Sequence, residues 1–164
     1  MTTFASLGLS PKILTALEKT TLKTPTPIQA QAIPHIMQGR DLMGLAQTGT
    51  GKTAAFGLPL LHRILDIGHP PGPKMIRALI LAPTRELALQ IKDNLETFTK
   101  GTPVKVLMVV GGASINRQTA SLSRGADVLV ATPGRLIDLL ERGDVSLEKC
   151  GYLVLDEADH MLDM

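Results

Sequence analysis

The sequence is poor in large aromatic residues. Its 164 residues include three Phe, one Tyr and no Trp, although 44% of the residues are hydrophobic. A core built from this sequence is therefore packed mainly by Ala, Leu, Ile and Val. Such a composition is typical of α/β proteins, in which small aliphatic strands lie beneath helices. The length suits a single domain of ordinary size.

The sequence also lacks the features of secreted and membrane proteins. The single cysteine, Cys150, cannot form an internal disulfide, which favours a reducing compartment. The N-terminus has no basic stretch followed by an apolar one, so no signal peptide is predicted. No run approaches the ~18 apolar residues of a membrane span. We therefore expect a soluble cytoplasmic protein without a membrane partner, and the net charge of +2 indicates only an ordinary solvated surface.

Short apolar runs alternate with helical stretches, which predicts an α/β fold with a parallel sheet and helices on both faces. The predicted strands are Leu42–Leu45, Ala78–Ala82, Val104–Val110, Val128–Ala131 and Tyr152–Leu155. The predicted helices lie near residues 11–19, 27–37, 52–66, 85–98, 114–123 and 134–142. Three helices begin with a hydroxyl residue before a proline, a pattern in which the hydroxyl caps the helix: Ser10-Pro11, Thr26-Pro27 and Thr132-Pro133.

A phosphate-binding loop is predicted at Ala46-Gln47-Thr48-Gly49-Thr50-Gly51-Lys52-Thr53, between a predicted strand and a predicted helix. Glycines let backbone amides converge on phosphate oxygens, and the helix N-terminus adds a favourable dipole. We expect Lys52 to reach the β- and γ-phosphates and the Thr53 hydroxyl to bind Mg²⁺. Ala46 stands where the general pattern has its first glycine, and the alternative is an ordinary glycine-rich turn.

An acidic segment, Asp156-Glu157-Ala158-Asp159, follows the apolar run Tyr152–Leu155. A carboxylate at the C-terminal end of a buried parallel strand lies where ligands bind in α/β folds. Asp156 is expected to hold Mg²⁺ through water, and Glu157 to orient the attacking water. The alternative is an acidic helix N-terminus stabilised by the helix dipole.

These two segments resemble the DEAD-box ATP-dependent RNA helicase family: Asp156–Asp159 spells its signature, and Ala46–Thr53 matches its phosphate loop, including the alanine. Four further segments occur along the chain in the same order as in the family. They are similar to its Q motif (Thr24-Pro25-Thr26-Pro27-Ile28-Gln29, with Phe4 as the upstream aromatic), motif Ia (Pro83-Thr84-Arg85-Glu86-Leu87), double glycine (Gly111-Gly112) and motif Ib (Thr132-Pro133-Gly134-Arg135). The resemblance covers essentially the whole chain, and its local details are similar to bacterial members.

For the nucleotide, the resemblance implies an ATP and Mg²⁺ site in which Gln29 hydrogen-bonds adenine and Phe4 stacks on it. The implied nucleotide contacts are Phe4, Thr26, Gln29, Thr48, Gly49, Thr50, Gly51, Lys52 and Thr53. Thr53 and Asp156 are the implied metal ligands, and Lys52, Asp156 and Glu157 the catalytic residues. Two alternatives stay open: Thr26 with Gln29 also forms a capping box, and Phe4 also suits core packing.

For RNA, the resemblance implies contacts to phosphates and 2′-hydroxyls rather than to base edges, in agreement with the few aromatic residues. The implied RNA contacts are Thr84, Arg85, Gly112, Thr132, Gly134 and Arg135. Alternatives from the residues alone are a helix cap for Thr132 and surface ion pairs for Arg85 and Arg135.

The implied domain is the N-terminal RecA-like ATP-binding domain of a helicase core, over residues 1–164 with the Q motif within 4–29. The second RecA-like domain, which completes the ATP site in the family, is absent. We therefore expect nucleotide binding with poor hydrolysis by this chain alone. In the family, a later strand separates the phosphate-loop strand from the strand before the acidic segment, so we expect residues 1–164 not to fold autonomously. A non-catalytic RNA-binding module with a vestigial nucleotide site is the alternative function, and a small nucleotide kinase is a more distant one.

Overall fold

The structure, a computed structural model, describes residues 3–18, 20, 24–25, 29–30, 33–34 and 50–155, without the side chains of residues 50–52. The chain divides into two compact units. The first comprises Met1–Gly68 and Asp93–Val104, and the second His69–Lys92 and Lys105–Met164. Among the described residues, no helix is both long and apolar enough to cross a membrane.

The helices agree closely with those predicted. They are α1 (Pro11–Glu18), α2 (Thr50–Ile67), α3 (Arg85–Thr99), α4 (Ile115–Leu122) and α5 (Pro133–Arg142), with a 3-10 helix at Ala5–Leu7. The strands are β1 (Ile76–Leu81), β2 (Val106–Val109), β3 (Ala126–Ala131) and β4 (Tyr152–Leu155). Residues 29, 30, 33 and 34 are helical, as predicted for 27–37. The remainder of that helix and the predicted strand Leu42–Leu45 lie outside the described residues.

The first unit contains α1, α2 and the second half of α3. The Lys12 amide donates to Ser10 Oγ (3.3 Å), so Ser10 caps α1 as predicted. The Ser10 amide in turn donates to His62 Nδ1 (2.9 Å), which joins the start of α1 to α2. Helices α2 and α3 approach closely at Gly57, where a Cβ would lie 2.7 Å from Leu95 Cδ2. The core of this unit is aliphatic with buried phenylalanines: Ile13, Leu17, Phe56, Leu58, Leu61, Leu95 and Phe98.

In the described part of the chain, the second unit contains a sheet of four strands in the order β2-β3-β1-β4. All three strand pairs are parallel. Aliphatic side chains explain this sheet: all six residues of β3 are buried, and β1 exposes none of its residues. Strands buried on both faces are characteristic of parallel sheets. The predicted α/β fold with a parallel sheet is confirmed.

One core of the second unit lies between the sheet and helices α4 and α5. Leu129 of β3 pairs with Leu79 of β1 and with Leu107 of β2, so three leucines form a row across the sheet. Leu122 of α4 and Leu139 of α5 belong to the same cluster and are fully buried. This packing holds the two helices against the strands whose C-terminal ends carry motifs Ia and Ib and the double glycine.

Strand β4 differs from β1 and β3 in its exposure. Leu153 and Leu155 are 62% and 42% exposed, although the residues that they pair with, Leu79 and Leu81, are buried or half-buried. Within the described part of the chain, β4 therefore presents two leucines to solvent at the end of the sheet.

Candidate functional site

Three of the predicted motifs meet at one edge of the sheet in the second unit. Motif Ia follows β1, the double glycine follows β2, and motif Ib follows β3. The strand pairing continues into these segments: the Ala82 amide donates to Ala131 O (3.0 Å), and the Thr132 amide donates to Val109 O (3.2 Å). The C-terminal ends of parallel strands are where α/β proteins bind ligands. We call this the carboxyl edge of the sheet.

Motif Ia forms the first turn of α3. The Leu87 amide donates to Thr84 Oγ1 (3.2 Å), and the Ala88 amide donates to Thr84 O (3.0 Å), so Thr84 caps the helix. Arg85 is the first residue of α3 and is exposed. Arg85 thus lies at the N-terminus of a helix, where backbone amides favour an anion.

The double glycine lies against Arg85. Gly112 has a φ of +80°, which is a backbone conformation that residues with a Cβ rarely adopt. A Cβ on Gly112 would lie only 2.7 Å from Arg85 Nη1. The backbone conformation therefore favours glycine at this position, and a larger residue would displace the neighbouring guanidinium.

Motif Ib begins α5. Thr132 occupies the N-cap position with an extended backbone, and Pro133 is the first helical residue. The Thr132 side chain nevertheless makes no capping hydrogen bond, so the predicted capping by this hydroxyl is wrong. A proline at the first helical position does not by itself prevent such a bond, since Ser10 makes one ahead of Pro11. The fixed φ of Pro133 preorganises the start of α5 without it. A Cβ on Gly134 would meet nothing within 4 Å, so the helix end is open at this residue.

Arg135 joins motif Ib to the double-glycine loop. Its Nη1 donates to Ala113 O (3.1 Å) and to Gln118 Oε1 (2.9 Å). The ion pair that the sequence left open is present at the limit of contact, with Arg135 Nε 4.0 Å from Asp138 Oδ2. Gln118 was missed by sequence reasoning. Only the structure shows that this polar residue occupies a buried position of α4.

Part of the predicted nucleotide site lies in the first unit. Helix α2 begins at Thr50, so Thr50, Gly51 and Lys52 form its first turn, as a phosphate-binding loop requires. Thr53 is 1% exposed and accepts a long hydrogen bond from Asn94 Nδ2 (3.5 Å). Asn94 is a second neighbour of the candidate site that the sequence did not indicate.

The predicted adenine-binding side chains are buried in the same unit. Gln29 is fully buried, and Phe4 is 5% exposed at the N-cap of the 3-10 helix. The burial of Phe4 agrees with the packing alternative as well as with a role in stacking. Five predicted site residues lie outside the described part of the chain: Thr26, Thr48, Gly49, the predicted metal ligand Asp156 and the predicted catalytic residue Glu157.

Comparison with known proteins identifies the family of the chain. Residues 26–164 match the family model described as DEAD/DEAH box helicase. The chain belongs to the DEAD/DEAH box helicase family. It is 49% identical over 168 residues to a probable ATP-dependent RNA helicase, DDX46, of Danio rerio, covering 99% of this chain. It is also 49% identical over 174 residues to the probable ATP-dependent RNA helicase ddx3 of Dictyostelium discoideum, covering all of this chain.

The two curated relatives are much longer than this chain. It spans 16% of the length of the Danio rerio protein and 24% of the Dictyostelium discoideum protein. The comparison therefore assigns the chain to the DEAD/DEAH box helicase family and relates it to one segment of each relative.

The electrostatics of the carboxyl edge suit a polyanion. Two arginines, Arg85 and Arg135, belong to the first turns of α3 and α5. Positive charge and free helix amides together favour phosphate groups. Among the described residues of this unit, Asp127, near the opposite end of β3, has a carboxyl whose pKa is raised by burial.

Proposed function

We propose that this DEAD/DEAH box helicase chain is the ATP- and Mg²⁺-binding half of an RNA-dependent ATPase that separates short RNA duplexes. The convergence of motif Ia, the double glycine and motif Ib on one sheet edge is the observation that carries this proposal. The names of the two relatives support it, since both are described as probable ATP-dependent RNA helicases.

RNA binds at the carboxyl edge through its backbone. Arg85 and Arg135 contact phosphates, and Thr84, Gly112, Thr132 and Gly134 complete the path. The burial of the phenylalanines supports this mode: Phe4, which is assigned to the adenine of ATP, and Phe56 and Phe98 are at most 9% exposed, so none presents an exposed face on which RNA bases stack. Recognition of phosphates and 2′-hydroxyls gives little base preference and a strong dependence on salt.

ATP binds at the N-terminus of α2. The donor set fits a polyphosphate, because helix amides, glycines and Lys52 occur together at this helix start. Lys52 contacts the β- and γ-phosphates, while Thr53 and Asp156 hold Mg²⁺ and Glu157 orients the water. Gln29 and Phe4 hold the adenine, with Thr26, Thr48 and Gly49 completing the site. Bound Mg²⁺ supplies charge neutralisation at the phosphates.

Hydrolysis requires a second RecA-like domain of the same protein, which provides arginines at the γ-phosphate. In other phosphoryl-transfer enzymes such arginines are worth a factor of about 10³–10⁵. This chain alone therefore binds nucleotide and hydrolyses it poorly.

The single half-buried cysteine, whose thiol pKa is raised by burial, suits a cytoplasmic location.

The competing function is a non-catalytic RNA-binding module with a vestigial nucleotide site. ATP hydrolysis separates the two proposals, because only an ATPase loses activity when Glu157 is replaced by Gln. We expect the protein encoded by the complete reading frame to hydrolyse ATP in the presence of RNA. Glu157→Gln should bind ATP without turning it over. Hydrolysis at the normal rate by Glu157→Gln would contradict the role of that carboxylate.

RNA binding is tested with a matched pair of arginine variants. Arg85 lies at the carboxyl edge, whereas Arg124 is an exposed arginine just before β3, at the other end of that strand. Each change to Ala removes one positive charge. We expect Arg85→Ala to weaken binding to single-stranded RNA and to lower the slope of log affinity against log salt by about 1. Arg124→Ala should change neither quantity, and equal effects of the two variants would contradict an RNA site at this edge.

A further inference from the structure

Helix α4 contains a buried glutamine whose amide is hydrogen-bonded at both ends. Gln118 is 8% exposed. Its Nε2 donates to Val110 O (3.1 Å), and its Oε1 accepts from Arg135 Nη1 (2.9 Å). A buried amide is unfavourable unless its donors and acceptor are satisfied. Leu122, one turn later, is a fully buried apolar residue of the same helix. Gln118 therefore provides two hydrogen bonds that a leucine at its position could not make.

The two hydrogen bonds of Gln118 hold both sides of the double glycine. Val110 immediately precedes Gly111-Gly112, and its carbonyl is fixed by the Gln118 amide. Ala113 immediately follows the double glycine, and its carbonyl accepts from the same Arg135 Nη1 that binds Gln118. Gln118 and Arg135 therefore clamp the double-glycine loop from its two ends.

The same contacts connect the two arginines of the carboxyl edge. Arg135 is fixed by Gln118 and by Ala113. Gly112, which lies between these anchored carbonyls, packs against Arg85 Nη1. A displacement of the loop would consequently change the positions of both guanidinium groups. Gln118 contacts Arg135 and the double-glycine loop from their buried side, since its own side chain is buried.

A neutral amide suits this task better than a carboxylate. Gln118 Oε1 takes one hydrogen of Arg135 without neutralising the guanidinium, and Asp138 is at the distant 4.0 Å with a side chain that is 60% exposed. Both close bonds of Arg135 leave from Nη1, so they do not consume the hydrogens of Nη2. The guanidinium thus keeps its charge and a donor pair for a phosphate.

We propose that Gln118 is a positioning residue for RNA binding, which orients Arg135 and fixes the double-glycine loop at the carboxyl edge. This inference rests on the proposed function, in which Arg135 contacts an RNA phosphate. Gln118 itself does not touch RNA. It acts through Arg135, and this dependence defines the test.

The test is a double-mutant cycle in the protein encoded by the complete reading frame. Gln118→Met removes both hydrogen bonds at similar side-chain length, and Arg135→Ala removes the guanidinium. Affinity for a single-stranded RNA is measured by fluorescence anisotropy over a range of salt. We expect affinity to fall about tenfold for Arg135→Ala, the scale of one charge-assisted hydrogen bond, and about threefold for Gln118→Met. In the Arg135→Ala background, Gln118→Met should have a clearly smaller effect, because only its hydrogen bond to Val110 O is left to lose.

Leu122→Val is the control for a general loss of stability, because it shortens a buried side chain of the same helix outside the network. It should lower the melting temperature and leave RNA affinity unchanged. If Leu122→Val reduces affinity as much as Gln118→Met does at a similar melting temperature, the effect is structural and the positioning role is wrong.

The remaining outcomes distinguish the inference from the function on which it rests. A loss of affinity for Arg135→Ala with none for Gln118→Met overturns the inference alone. The same holds if Gln118→Met weakens binding equally with and without Arg135. An Arg135→Ala protein with normal affinity overturns the proposed RNA contact as well. Where Gln118→Met does not fold, Gln118→Glu replaces it: pairing with Arg135 should lower the salt slope by about 1, and an unchanged slope overturns the inference.

Discussion

The replacement of Gly112 by Ala combines two separable effects, one on the backbone and one on Arg85. Gly112 has a φ of +80°, and an L-residue in this region costs about 1–2 kcal/mol. A Cβ would also lie 2.7 Å from Arg85 Nη1, whereas ordinary contact begins at 3.4 Å. The guanidinium must therefore move by about 0.7 Å. Because it is the end of a flexible side chain, this movement adds little to the loss of stability.

The displacement of Arg85 should weaken RNA binding. A hydrogen bond between charged groups contributes about 1.5–3 kcal/mol. A loss of about 1 kcal/mol through misplacement would raise the dissociation constant about fivefold. The loss of stability should lower the melting temperature by about 2–4 °C per kcal/mol in a chain of this size.

Gly143 provides the matched control. It ends α5 with a φ of +75°, and a Cβ there would meet nothing within 4 Å. Gly143→Ala should therefore introduce similar backbone strain without moving Arg85. Melting temperatures from circular dichroism and RNA affinities from fluorescence anisotropy are compared for both variants. Similar melting temperatures with weaker RNA binding for Gly112→Ala alone is the expected result; equal RNA affinity in the two variants would refute the reasoning.

Three further predictions concern stability. Gly125→Ala should cost about 2–5 kcal/mol, because φ is +84° and a Cβ would overlap the Gly72 carbonyl oxygen; denaturant unfolding within about 1 kcal/mol of the wild type would contradict this. Leu129→Ala in the core should lower the free energy of unfolding by about 2–5 kcal/mol, whereas Leu153→Ala, at a site that is 62% exposed, should lower it by about 0.5 kcal/mol or less. Similar losses of stability in the two variants would contradict this difference. Burial raises the pKa of the Asp127 carboxyl, so the folded chain binds this proton more tightly than the unfolded chain does. The free energy of unfolding therefore falls as the pH rises through the raised pKa. Relative to the wild type, Asp127→Asn should thus gain stability as the pH rises above about 4, the ordinary pKa of an aspartate, and a difference in thermal unfolding that stays constant with pH would show that the carboxyl does not titrate as inferred.

The local sequence predicts most of the fold. Strand β4 was predicted with its correct bounds, and β1 and β3 begin two residues earlier than predicted. These strands are short and almost wholly aliphatic, so their type is clear from composition. The convergence of motifs at one sheet edge follows from the parallel arrangement, because every strand of a βαβ series ends on the same side.

The contacts between distant side chains could not be read from the sequence. Arg135 and Gln118 are 17 residues apart and meet because β2 and β3 are neighbours in register. A glutamine on a helix is usually solvated, and nothing local distinguishes this one. The exposure of Leu153 and Leu155 was equally unpredictable, since an apolar run does not indicate whether its strand lies inside the sheet or at its end. The missing cap hydrogen bond of Thr132 could not be predicted either, because the rotamer of the side chain depends on more than the local sequence.

The central claim is that the carboxyl edge binds RNA in a protein that couples this binding to ATP hydrolysis. The most direct test is the rate of ATP hydrolysis by the protein encoded by the complete reading frame, with and without single-stranded RNA. Our account predicts that RNA raises the rate with ATP but not with GTP, and that Arg135→Ala reduces the stimulation while ATP affinity is retained. A folded protein that binds ATP, yet hydrolyses it at the same rate with and without RNA, would contradict the account.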